Sequence, residues 1–101
     1  MMDVRLSRHF WDRYHRVGWQ IPRFLLSDVG SFLKEQGLFY VSFRAGEVFV
    51  SAMGAVFVLR KSGSRFVVTT VYPGDYRLQR WINAGVIKPV DPSTLEGKDV
   101  G

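Results

Sequence analysis

His9 and Arg13 are four residues apart, a spacing that sets an imidazole one helical turn from a guanidinium. Imidazole gives or takes a proton near neutral pH, and the planar guanidinium grips anionic oxygens through two parallel hydrogen bonds. Side by side they would form a proton-transfer group next to a phosphate clamp. Arg16, three residues on, extends the same stripe. The second candidate pair is Thr70 and Tyr72, near the end of a run dense in β-branched and aromatic residues, 65–72. Strict two-residue alternation sets Phe66, Val68, Thr70 and Tyr72 on one face and Arg65, Val67, Thr69 and Val71 on the other. If the helix lies across the sheet, the hydroxyls of Thr70 and Tyr72 meet the basic stripe and can bind or orient a phosphate.

Composition narrows the partner. Fourteen Lys and Arg against nine Asp and Glu give a net charge of +5. The excess is mostly arginine, which favours an anionic partner, nucleic acid first and an acidic protein second. Arg44, Arg60, Lys61 and Arg65 lie near strand ends and would track a nucleic-acid backbone if they flank one cleft. The absence of cysteine removes disulfides and thiolate chemistry and fits a reducing, cytoplasmic setting. No apolar run approaches the roughly 20 residues that a membrane helix needs, so no membrane partner is expected. His9 and His15 are six apart on different helix faces, and no carboxylate pair has ligand spacing. No metal or other cofactor is therefore expected.

The elements that must position these residues follow from capping and periodicity. Ser7 is an N-cap for a helix over 8–17, with Phe10, Tyr14 and Val17 on its inner face and Gly18 at its end. Pro22 opens a further helical turn, and Ser27 or Asp28 caps a segment running to Gln36, which Gly37 stops. Four strand-like runs follow, 38–44, 47–52, 55–61 and 65–72, joined by turns short enough for antiparallel neighbours. The expected fold is α+β, with N-terminal helices packed on a four-stranded antiparallel meander. A helix over 74–84 follows, ended by Gly85, then an extended edge. At 101 residues one domain is expected, spanning 1–88, with 89–101 as a loose tail.

In this order of elements the chain resembles the small ribonuclease-toxin fold shared by barnase, EndoU-type nucleases, colicin ribonucleases and RelE- or BrnT-type toxins. It is most similar to BrnT-like and related short uncharacterised domains, with a helix beginning Ser-x-His-x-x-x-Arg and a last strand reading Ile-Thr-Val-Tyr. The matching residues here are Ser7-Arg8-His9-Phe10-Trp11-Asp12-Arg13 and Thr69-Thr70-Val71-Tyr72. The likeness covers about residues 7 to 76. It implies metal-independent cleavage of RNA, with His9 as general acid or base. Arg13 and Arg16 would clamp the phosphate, and Thr70 and Tyr72 would supply orienting hydroxyls. It also implies an acidic antitoxin or immunity protein that covers the basic face.

Each residue also has a plainer reading. A histidine near a helix start can cap or face solvent, and His15 can simply pack on Trp11. Arg13 and Arg16 near Asp12 can form a solvated ion-paired face, and Thr70 and Tyr72 are good strand formers. The alternative function is a non-enzymatic phage or mobile-element inhibitor that binds a host protein or nucleic-acid complex through its basic face. A homodimer built by strand addition at a sheet edge is compatible with either.

Overall fold

In a computed structural model, which describes residues 3–43 and 47–95, the chain folds as an α+β protein around one six-stranded mixed sheet. The strands are β1 (Val4–Leu6), β2 (Leu38–Ser42), β3 (Glu47–Ala52), β4 (Ala55–Ser62), β5 (Arg65–Tyr72) and β6 (Ile87–Pro89). Their spatial order is β1-β5-β4-β3-β2-β6. Strands β2 to β5 pair antiparallel in succession, β6 adds antiparallel to β2, and β1 adds parallel to β5. The sheet is thus not the expected four-stranded antiparallel one. The short strand β1 lacks the length to show a period in sequence, and only pairing with β5 fixes it.

Helix α1 (Arg8–Arg13) runs into a 3-10 turn at Tyr14–Arg16, so the expected helix over 8–17 is one α-helical stretch with a tightened end. A 3-10 stretch (Arg23–Asp28) leads into α2 (Val29–Gln36), capped by Asp28, which accepts from Ser31 N at 3.3 Å. Helix α3 (Tyr76–Asn83) follows β5. No helix among the described residues is long and apolar enough to cross a membrane.

Both sheet faces are covered. On the first face, α1 and α2 bury Phe10, Phe32 and Leu33 against Val50, Phe57, Leu59 and Val68. Phe57, fully buried, stacks on Phe10 with centroids 6.2 Å apart and meets the Phe32 ring edge-on at 6.0 Å. On the second face α3 lays Leu78 on Phe49, Val56 and Val58, with Trp81 and Tyr72 at the margin. Burying a large aromatic contributes several times what an exposed ion pair does, about 3–5 kcal/mol against at most about 1. Core packing rather than charge pairing therefore dominates stability.

Beyond β6, Val90 N donates to the Phe39 carbonyl at 2.9 Å, and Val90 and Leu95 pack on the first core. Asp91 caps the last 3-10 turn (Pro92–Thr94). The Ser93 N–H and then the Ser93 hydroxyl hold the Asp91 carboxyl below its ordinary value.

Gly37 stops α2 by a different means from the one its residue type suggests. Its backbone is extended (φ −99°), and a Cβ there would run into Val50 Cγ1 and the Leu33 carbonyl oxygen. Glycine is needed for close approach rather than for left-handed backbone. Gly37→Ala should cost about 1–3 kcal/mol by forcing α2 off β3. Gly74→Ala, at a position with open space around it, should change stability by no more than about 0.5 kcal/mol. Urea unfolding of the two variants beside the parent checks the contrast.

Candidate functional site

One hydroxyl joins α1 to the sheet. Ser7 Oγ accepts from Phe10 N at 3.0 Å, capping α1, and donates to the Val68 carbonyl at 2.7 Å. Ser7 N also reaches Val68 O, at 3.2 Å. The parallel pairing of β1 ends at Leu6 opposite Val68, and α1 then packs along the remainder of β5. Phe10 turns inward to the core, which leaves His9 and Arg13 on the flank of the helix that borders the strand's second half.

That half of β5 has changed phase. Val58 pairs with Thr70 but Leu59 pairs with Val68, so Thr69 is an extra residue in a β-bulge. Thr69 Oγ1 donates to the Val58 carbonyl at 3.2 Å across the irregularity. Before the bulge Phe66 and Val68 face the first core; after it Val71 does, and Tyr72 turns to the second. The expected single face for Phe66, Val68, Thr70 and Tyr72 is therefore broken. Had the alternation run on, Thr70 and Tyr72 would have been driven under the helices. The bulge instead brings them out on the second face, together with Thr69.

The result is a basic cleft of about 410 Å³. His9, Arg13 and Arg16 line it from α1 and the turn after it, and Thr69, Thr70 and Tyr72 from β5. Arg60 of β4 and its cross-strand partner Glu47 of β3 form another side. Arg77 closes it from α3, with its guanidinium carbon 4.7 Å from the centre of the Tyr72 ring. Hydrogen bonding to Tyr76 raises the Arg77 pKa still further, and a guanidinium is in any case charged near neutral pH. Four arginines thus face one carboxylate. Among the described residues no ion pair engages Arg13, Arg16 or Arg60; the Asp12 pairing weighed from sequence is not formed.

Of the residues singled out from sequence, His9, Arg13, Arg16, Arg60, Thr70 and Tyr72 share this cleft. Lys61 does not. It pairs opposite Phe66, and alternation sends it to the first face, where it lines a hollow with Thr94 and Leu95. Arg65 sits at the far end of β5, 3.8 Å from Asp3 in an exposed ion pair. Arg60, Lys61 and Arg65 therefore form no common groove. Arg44 lies outside the described residues. His15 bonds the Asp12 carbonyl through Nδ1 at 3.0 Å. A carbonyl only accepts, so that nitrogen carries the proton.

Glu47 and Arg77 were missed, whereas the sequence left open whether Thr69 or Thr70 faces the helix, and both line the cleft. Glu47 shares a strand face with Phe49, and a carboxylate in phase with a core aromatic was the available signal. Nothing local marks Arg77, since α3 reaches the cleft only through its packing. Among the described residues no group of three or more His, Asp or Glu side chains is placed to hold a metal ion. No protein-family model, curated protein or solved structure shows significant similarity to the chain.

Ser7→Ala removes the helix cap and the tie to Val68 at once. It should cost about 1–2 kcal/mol, read as a lowered denaturation midpoint with an unchanged denaturant slope.

Proposed function

We propose that the protein is a metal-independent ribonuclease of the toxin type, cleaving RNA by general acid–base catalysis in the basic cleft. The observation that carries this reading is the convergence of an imidazole, a carboxylate, four arginines and three hydroxyl side chains on one concavity. Cleavage at a ribose phosphate needs a base to take the 2′-hydroxyl proton and an acid to protonate the departing 5′-oxygen. His9 and Glu47 are the two groups able to fill these roles, Glu47 as base and His9 as acid. The 2′-oxygen forms its bond to phosphorus as the bond to the 5′-oxygen breaks. This leaves a 2′,3′-cyclic phosphate and a 5′-hydroxyl. Arg13, Arg16 and Arg77 stabilise the charge on the non-bridging oxygens, and Thr70 and Tyr72 orient the phosphate. An acidic antitoxin or immunity protein would neutralise the enzyme by covering the same four arginines.

His9→Ala and Arg13→Ala should each abolish cleavage while shifting stability by no more than about 0.5 kcal/mol. Glu47→Gln should lower the rate by about 10²- to 10⁴-fold. Products with cyclic phosphate ends, unaltered by a chelator, are expected by mass spectrometry. Full activity in both the His9 and Arg13 variants would remove the site.

A single imidazole in the cleft favours the second reading, a non-enzymatic phage or mobile-element inhibitor that uses the same arginines to bind a host protein or nucleic-acid complex. Induced expression separates the two. The enzyme arrests growth and His9→Ala relieves the arrest, whereas for the inhibitor His9→Ala changes nothing. RNA affinity should also fall with salt at a slope near −0.7 per neutralised phosphate, and Arg16→Ala should flatten that slope by about 0.7.

A further inference from the structure

Glu47, Thr69, Thr70 and Tyr72 line a second cleft as well as the basic one, so the two are continuous. The second cleft, about 760 Å³, opens between the end of α3 and strands β2 and β3. Its character is opposite to that of the first. Trp81 and Phe49 lie 5.1 Å apart, centre to centre, as a tilted aromatic pair at its base. Phe43 lines it while remaining 64% exposed, an unusual position for a large apolar ring. Phe43 N donates to the Val86 carbonyl at 3.1 Å, which anchors the backbone beneath the ring. Lys88 Nζ lies 5.8 Å from the ring's centre.

An aromatic cleft continuous with unpaired arginines matches the two halves of a nucleotide, a flat ring with a π-face and an anionic phosphate. We propose that this cleft is a nucleobase subsite, so that the substrate is single-stranded RNA. One unstacked base lies against Phe43 beside Trp81 while its phosphate rests on the neighbouring arginines. The inference rests on the ribonuclease reading for the identity of the polyanion and adds to it the form that the polyanion must take. Duplex RNA keeps its bases stacked inside the helix and cannot fill the cleft. Stacking accepts any base, since each has a π-face, so the subsite selects for strandedness rather than for sequence.

The test uses the full chain and a fluorescently labelled 2′-O-methyl oligonucleotide, which cannot be cleaved, beside an abasic oligomer of equal length and charge. Anisotropy titrations at one salt concentration compare the parent with Phe43→Ala, Phe43→Tyr and Arg13→Ala. Phe43→Ala should weaken binding of the base-bearing strand by about ten-fold or more and leave the abasic oligomer unaffected. Phe43→Tyr should restore the loss, and Arg13→Ala should weaken both ligands alike. Equal affinities of parent and Phe43→Ala for the base-bearing strand would overturn the subsite, as would an equal loss on both ligands. If in that case Arg13→Ala still weakens both, the phosphate cleft stands and only the subsite falls. If the parent binds neither oligomer, both readings fall together.

Discussion

The hydrogen bond from Ser7 to the Val68 carbonyl fixes where the first helix begins relative to the last long strand, and the cleft depends on that placement. It is not the largest energy in the molecule. Burial of Phe57 between two further phenylalanines contributes more to stability, yet hydrophobic contact is non-directional and would tolerate α1 slid along the sheet. A hydroxyl that must accept from Phe10 and donate to Val68 tolerates far less. Packing holds the helix down; the serine sets its register.

The bulge at Thr69 is the second half of the same arrangement. It lets one strand serve two masters, supplying Phe66, Val68 and Val71 to the core beneath the helices and Thr70 and Tyr72 to the opposite face. The extra residue costs a ladder hydrogen bond, and the Thr69 hydroxyl offsets part of this by donating to the Val58 carbonyl. Helix α3 then completes the cleft from the far side with Arg77, so residues widely separated in the chain meet across the strand.

Much of this was readable from residue types alone. The Ser7 cap, the inward Phe10, the four central strands and the stripe of His9, Arg13 and Arg16 follow from capping preference and periodicity. The phase of the last strand does not. In 65–72 both alternating sets are rich in apolar residues, so neither face declares itself, and two adjacent threonines give no sign that one is supernumerary. Arg65 failed as a cleft residue because it lies at the far end of the strand, beside Asp3, and Lys61 for the complementary reason. Proximity in sequence to a turn says nothing about which side of a pleat a charge will take. Arg77 reaches the cleft through tertiary packing, which no local window contains.

The unpaired arginines around the cleft have a consequence for the free protein. With Glu47 the one carboxylate that lines the cleft, and no ion pair to Arg13, Arg16 or Arg60 among the described residues, these groups raise the positive potential of one another's surroundings, which a bound anion would relieve. By mass action a ligand that binds only the folded chain adds to its stability. On the proposed reading of the cleft as an RNA site, a preparation that carries over cellular nucleic acid would melt higher than a clean one, and the ratio of absorbance at 260 to 280 nm would belong beside any melting temperature.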